Sequence, residues 1–402
     1  MASKTLFRNR DAVLVLVFVL LSAGIAFLPT GFEDQVDTQA VRSKGRILEV
    51  DNSQVKQMGL VKSGDQGVTL RIESGPYEGK VLKASNPLLG QMDRDKLFKP
   101  GDAALVVLTL DQEGNILFVN PQEHYRLDWE LALLALFAVL LVAFAGWTGL
   151  KALLSFLFAA LVLWKVLVPA LLRGLDPIMT SLGVVALLSC AIIYLVAGVN
   201  RKGLVAFLGA FLGILTSCLM AILFTKGFHV HGAVMPFAET LLYSGFGHLN
   251  LTEIFIAAVF LACSGAVMDL SMDVAASMHE IVVQHPGISR GAAFRSGINV
   301  GRAVVGTMTT TLLLAYSGGF ITLLMAFMAQ GIPLANTFNL IYVAAEVLKT
   351  LVGSFGLVTV APFTALVGSL LLTGHPEKAT SRDGDWQGLA VAADTAERKR
   401  VF

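Results

Sequence analysis

The sequence predicts an α-helical polytopic membrane protein of about eight spans, carrying a small extracytoplasmic β-rich domain near its start. Three observations predict it. Residues 129–374 hold 10 Lys/Arg and 8 Asp/Glu in 246 positions, too few charges for a surface that meets water. Residues 30–128 hold 12 Lys/Arg and 15 Asp/Glu in 99 positions, an ordinary soluble density. The charge-poor region also divides into apolar runs close to the ~20 residues that cross ~30 Å of hydrocarbon. The 402-residue chain is 55% apolar with a net charge of +1. This excludes a cytosolic enzyme, a disordered chain and a disulfide scaffold, and leaves no case for a nucleic-acid partner. The expected partners are the lipid bilayer, a small solute or ion, and an envelope protein. No cofactor is expected.

The first apolar run, 12–28, follows Lys4, Arg8 and Arg10. Residues 1–29 therefore read as a membrane anchor or a signal, with Gly24-Ile25-Ala26 as a small-residue cleavage point in the second case. Either way, residues 30–128 are exported. Within them, Gly45-Arg46-Ile47-Leu48-Glu49-Val50, Val68-Thr69-Leu70-Arg71-Ile72, Ala104-Leu105-Val106-Val107-Leu108 and Ile116-Leu117-Phe118-Val119 read as short strands. Gly64-Asp65, Gly75-Pro76, Asn86-Pro87, Pro100-Gly101 and Glu113-Gly114-Asn115 read as breaks between strands. The pattern fits a small β-barrel or sandwich. Its only histidine, His124, belongs to no catalytic constellation.

The membrane region, 129–374, shows runs at 131–147, 152–169, 178–198, 204–224, 252–270, 303–328 and 350–373. Residues 329–349 contain Gly331, Pro333 and Asn336 and read as a re-entrant or interfacial helix. A split at Gly318-Gly319 into a ninth span is the alternative. With the N-terminus inside, the inner connections carry Lys151, Arg201, Lys202, Arg290, Arg295 and Arg302, and the outer ones only Arg173, Lys226 and Lys349. The positive-inside rule then places both termini in the cytoplasm. Residues 375–402 are polar and aperiodic and read as a disordered cytoplasmic tail. Cys190, Cys218 and Cys263 all fall in apolar runs, with no metal spacing.

Chemistry is concentrated after Ser264. At about 100° per residue, Asp273 lies about 40° and Glu280 about 20° from Asp269, so three carboxylates share one helix face. Like charges on one stripe need a proton, a cation or a basic partner. Arg295, Asn299 and Arg302 also share a face, extended into the membrane by Thr307 and Thr311. Gly297 and Gly301 form a small-x-x-x-small pair that permits close helix approach. A hairpin of 253–283 and 292–316 can set the acidic face against the basic one. A solvated helix end held by salt bridges, and a proton or cation relay through Asp269, Asp273 and Glu280, both fit; a divalent metal site from the same carboxylates fits less, and no metal is assigned. Glu346 and Lys349 form a secondary i, i+3 ion pair. His229, His231 and His248 share a loop with Glu239, but His-x-His alone is a weak metal signal. No Walker loop, G-x-S-x-G or H-E-x-x-H occurs, so no enzyme is expected.

Ser264-Gly265-Ala266-Val267-Met268-Asp269 with Asp273 and Glu280, Gly301, Gly306 and the threonines that follow, and Glu346 through Val352-Gly353-Ser354-Phe355-Gly356-Leu357 to Pro362 together resemble the YibE/F family of bacterial multispanning membrane proteins. The N-terminal span and exported insert extend the resemblance over nearly the whole chain except the tail. The resemblance implies architecture and carries no catalytic residues. A weaker likeness, through Asp269, Glu280, Thr309-Thr310-Thr311 and Gly318-Gly319, is to accessory Sec subunits that resemble proton-driven exporters. The leading expectation is a secondary permease or exporter component coupled to protons or cations. The alternative is a non-transporting membrane scaffold that binds envelope partners through its outer β-domain.

Overall fold

The computed structural model describes residues 2–35 and 40–373. The tail expected over 375–402 lies outside the described residues. The chain forms two compact units. One is Pro29–Leu150; the other joins the first 28 residues to those from Lys151 onward.

In the first unit, five antiparallel strands form one sheet in the order β3-β2-β1-β4-β5. They are β1 (Ala40–Met58), β2 (Val61–Ile72), β3 (Val81–Leu89), β4 (Ala103–Leu110) and β5 (Ile116–His124). The 19-residue β1 spans the sheet: its start pairs with β4 and the rest with β2. Its register shifts between Ile47 and Glu49 and again between Asp51 and Gln54. Such irregularities bend a strand, and β3 comes to lie near β5, which curls the sheet toward a barrel. Alternate inward residues Ile47, Val68, Leu70, Ile72, Val106 and Leu108 close over Phe98. Two expected breaks are strand interior. Gly64 (φ 111°) sits in β2 opposite Val55. Asn86-Pro87 lies in β3, an edge strand, where a residue without an N–H is tolerated.

A buried amide holds the loop after β3. Gln66 is fully buried. Its Oε1 accepts from the Phe98 N–H at 3.0 Å, and its Nε2 donates to the Phe98 carbonyl at 3.0 Å and to Asn52 Oδ1 at 2.8 Å. Asn86 Nδ2 donates to Gln66 Oε1 and to the Lys96 carbonyl. Carboxylates fasten the other turns. Asp95 accepts from the Leu89 and Gln91 N–H groups, which hold its carboxyl below the usual range. Asp111 is lowered by Asn115 and then by backbone N–H groups of its turn. Glu73 is lowered by Arg46, and Glu33 falls to about 2 through Thr30.

The helices are α1 (Ala2–Ala26), α2 (Leu127–Val162), α3 (Val168–Leu172), α4 (Pro177–Ala197), α5 (Arg201–Gly227), α6 (Ala238–Tyr243), α7 (Leu251–Gln284), α8 (Arg290–Ser317), α9 (Ile321–Ala329), α10 (Leu334–Asn339) and α11 (Ile341–Leu371). Asp176, Asn200, Asn250 and Ser289 cap α4, α5, α7 and α8 through side-chain oxygens. Six stretches are long and apolar enough to cross a membrane, and Ala12–Ala26 is a shorter apolar helix. Two expected runs, 131–147 and 152–169, fall in one 46-residue stretch, Leu127–Leu172. Its backbone leaves helical geometry at Gly146 (φ 56°, ψ −127°). Gly149 then meets the Leu141 carbonyl, eight residues back; a straight helix would separate them by ~12 Å. The expected re-entrant helix over 329–349 instead divides into α10 and the first turns of α11, so Glu346 and Lys349 belong to the final span.

The core of the second unit is α5, α7, α8 and α11, and their contacts fix direction. Gly209 lies against Thr364, Gly213 against Val360, and Gly356 against Ser217, so α5 and α11 are antiparallel. Gly297 lies against Ala365 and Met278, and Gly301 against Ala361 and Val274, so α8 runs antiparallel to both α11 and α7. Gly353 faces Cys263 and Gly368 faces Met278, so α7 and α11 are parallel. The α4–α5 turn, the α7–α8 turn and the end of α11 therefore share one end of the bundle, which holds Arg201, Lys202, Arg290 and Arg295.

Two outcomes are expected. The β-unit loses stability in acid. Asp95, Asp111 and Glu73 have folded values below their unfolded ones, so their contribution is complete above about pH 4–5 and fades as pH falls through the folded values. The urea midpoint of purified residues 40–126 should drop between pH 6 and pH 3, and a flat profile would contradict the turn network. In the full chain, Gly301→Val forces a side chain onto Ala361 and should cost about 1–3 kcal/mol in overpacking, read as reduced membrane abundance. Gly183→Val, at an exposed glycine of α4 with open space around it, should be neutral in the same assay.

Candidate functional site

The three carboxylates do share a face, and that face is turned away from the bundle. On α7 the buried residues Val267, Ser271, Val274 and Met278 lie about 140–200° around the helix from Asp269. Asp269, Asp273, Ala276 and Glu280 are all exposed, as are Ala262 and Gly265 farther along the same face. The opposite side packs against α5, α8 and α11 through Val267, Val274 and Met278 and through the Ser271 hydroxyl. Glu280 accepts from Gln284 Nε2 at 2.9 Å, one turn on.

The basic face behaves in the same way. Gly297 and Gly301 pack inward against α7 and α11, so Arg295, Asn299 and Arg302, on the far side of α8, are exposed. Thr307 and Thr311 are exposed too, and their hydroxyls donate to backbone carbonyls of their own helix, Val304 and Thr307. The expected hairpin, acidic face against basic face, is not formed within the chain. The ion pairs among the described residues join Lys44–Asp128, Arg46–Glu73, Arg126–Glu123 and Lys349–Glu346, and His124 Nδ1 lies 3.9 Å from Asp102 Oδ2. The reason is steric: the glycine pair that lets α8 approach closely occupies the inner face, which sends the arginines outward.

Depth follows from the helix ladder. The contacts of α11 place Ile341 level with about Thr252 of α7, and Leu371 level with about Ile281. The middle of this shared span falls near Ala266. Asp269 is then ~4 Å and Asp273 ~10 Å from the middle, inside a hydrocarbon half-thickness of ~15 Å, while Glu280 lies ~20 Å out. Asp269 thus sits near the midpoint of the apolar span, and the chain does not bury it among its own helices. Among the described residues, no group of three His, Cys, Asp or Glu could hold a metal ion. This covers both the carboxylate stripe and the loop histidines; His248 instead makes a 3.2 Å contact to the Leu172 carbonyl through Nε2.

The polar groups that the bundle does enclose are hydroxyls. Ser271 Oγ donates to the Ala206 carbonyl at 2.6 Å and lies 2.9 Å from Thr364 Oγ1, which in turn reaches the Val360 carbonyl. Ser217 Oγ donates to the Val352 carbonyl, with Cys263 Sγ 3.6 Å away. These side chains tie α5, α7 and α11 together as interhelical hydrogen bonds. The signal for them was available: Ser271 sits on the α7 stripe of Val267, Val274 and Met278, opposite the carboxylates.

Glu346 and Lys349 form the expected pair, Nζ to Oε1 at 2.6 Å, with each side chain about three-quarters buried. The ammonium also lies 5.7 Å from the centre of the Phe255 ring. Glu346→Gln leaves this ammonium without its counter-charge and should cost about 1–3 kcal/mol, less than for a fully buried pair. Membrane abundance and melting temperature should fall for Glu346→Gln and recover in the Glu346→Gln/Lys349→Met double variant. Equal stability of all three proteins would show the pair to be inert.

The family model described as YibE/F-like protein matches residues 133–374. The motif residues from Ser264 to Pro362 all lie inside that match, and the five strands lie outside it. No curated protein and no solved structure matches the chain, so the likeness to accessory Sec subunits gains no support. With more than half of its length matched, and with six helices apolar and long enough to cross a bilayer, this chain belongs to the YibE/F-like family.

Proposed function

We propose that this protein is a non-enzymatic, multi-pass scaffold of a bacterial inner membrane that presents its β-unit to an envelope protein partner. The observation that carries this is an apolar patch at one end of the β-unit. Met58 and Leu60, at the tip of the β1–β2 hairpin, and Leu89 and Met92, where β3 ends, are each at least 68% exposed. Gly59 (φ 64°) makes the two-residue hairpin turn possible and pushes the flanking side chains outward. Leu60, Leu88 and Met92 line one shallow hollow. Large exposed apolar side chains gathered in one place mark an interaction surface, and methionine is enriched in such surfaces.

The orientation belongs to the same proposal. The long stretch that turns at Gly146 crosses twice and Ala12–Ala26 crosses once, giving eight spans with both termini in the cytoplasm. Support comes from Arg201, Lys202, Arg290 and Arg295 gathering at one end of the bundle. A second reading, a permease component coupled to protons or cations through Asp269, is favoured by the depth of that carboxylate. Its position on the outer face argues against a relay enclosed within a single chain.

The test uses intact cells. A photo-crosslinking residue at position 60 or 92 should give a discrete protein adduct, and the same residue at position 113, in the β4–β5 turn, should not. In a Leu60→Cys variant, the thiol should also react with a membrane-impermeant maleimide before lysis. Reaction only after lysis, or equal adducts at 60 and 113, would defeat the scaffold reading. The permease reading requires ion flux in proteoliposomes that Asp269→Asn abolishes at unchanged protein level.

A further inference from the structure

The two outward faces match each other. The contacts Gly297–Met278 and Gly301–Val274 set the relative level of α7 and α8. Followed along the same antiparallel ladder, Arg302 stands level with Asp273, and Arg295 stands level with Glu280. Asp273 and Glu280 on α7 thus each have a base at their own depth on α8, yet all four side chains are exposed and none forms an ion pair among the described residues.

Asp269, Asp273 and Arg302 lie within hydrocarbon depth, where a charge turned toward lipid is costly and is normally paired or enclosed by protein. A neighbour is required, and the level matching says which one. Membrane oligomers are generally symmetric about an axis along the membrane normal. Rotation about that axis keeps every residue at its own depth. The α8 face of one protomer therefore meets the α7 face of its partner with the rungs already aligned. An unrelated protein would have to reproduce both charges at both depths.

The α7 face is also built for a helix to come close. Ala262, Gly265 and Ala276 lie exposed beside the carboxylates, and a side chain at Gly265 would meet nothing within 4 Å. On α8, Ala303, Gly306, Thr307 and Thr310 are exposed, with the same open space around Gly306. Small residues at a membrane helix surface allow backbones to approach. Here they flank the charges that set the register.

We propose that copies of this chain associate in the membrane through these faces, the acidic face of α7 in one protomer against the basic face of α8 in its partner. Asp273 meets Arg302, and Glu280 meets Arg295. Asp269 then lies level with Gly306, enclosed between protomers and away from lipid. The inference is independent of whether the β-unit binds an envelope protein, and its test does not involve that unit.

Two differently tagged full-length chains are co-expressed and oxidised in native membranes. The pairs Asp273→Cys with Arg302→Cys, and Glu280→Cys with Arg295→Cys, should give mixed-tag disulfide dimers about tenfold or more above two controls. One control is the wild-type pair, which carries the same native cysteines. The other is Asp273→Cys with Arg295→Cys, which is offset by seven residues, or ~10 Å along the helix. In nanodiscs, Asp273→Arg should weaken association about tenfold or more, because it places like charges face to face. Asp273→Arg combined with Arg302→Asp should restore it. Matched pairs no stronger than the controls, a dominant Asp273→Cys to Asp273→Cys product, or a monomer at every concentration would overturn the proposal. A lipid headgroup, the chain's own tail or another protein covering the faces would each give one of these results. If a charge-reversal variant fails to accumulate, the cysteine pairs decide.

Discussion

Where α5, α7, α8 and α11 cross, there is room for a hydrogen atom and none for a methyl group. A side chain at Gly209 would overlap Thr364, one at Gly301 would overlap Ala361, and one at Gly356 would overlap Ser217. Lipid tails are as apolar as leucine, so burying leucine between membrane helices brings little driving force; close van der Waals contact and interhelical hydrogen bonds hold them together instead. The glycines admit that contact. They also bring backbone carbonyls near enough for Ser271 and Ser217 to donate across helices. The registers, the parallel run of α7 and α11, and the common end of the basic turns all follow from those crossings.

The same constraint decides where the charges go. A helix face that packs at glycine distance has no volume for a carboxylate or a guanidinium. On α8 Gly297 and Gly301 turn inward, and on α7 Val267, Ser271, Val274 and Met278 do, so the carboxylates of the α7 stripe and Arg295 and Arg302 are left outside. The helix ladder sets Asp269 and Asp273 within the middle part of the apolar span, on its outward face. The acidic stripe and the matching basic stripe are in this sense one consequence of the core, seen from the other side of two helices.

The β-unit obeys water-based rules. Its core is an alternating strand pattern closed over Phe98, and its loops are held by a buried glutamine and by carboxylates that accept backbone N–H groups. Its exposed apolar side chains include Met58, Leu60, Leu89 and Met92 at one hairpin end, and Leu117 and Phe118 on β5. All five strands lie outside the family match.

The amino-acid sequence by itself determined the division into a soluble and a lipid-facing part, the strand-forming runs, most helix positions, the family, and the fact that Asp269, Asp273 and Glu280 lie on one face. These are properties of composition and of periods of two and 3.6 residues, and they need no knowledge of neighbours. Tertiary structure decided the rest. Asn86-Pro87 reads locally as a break, yet it lies in a strand because that strand is at an edge. Residues 341–349 look too polar for a span, yet Lys349 finds Glu346 and Phe255 and the helix runs on. The sequence allowed the acidic face to meet Arg295 and Arg302 within one chain, and it did not reveal which side of each helix would face inward. That choice depends on which residues of other helices fill the space, and here the glycines of α5, α8 and α11 made it.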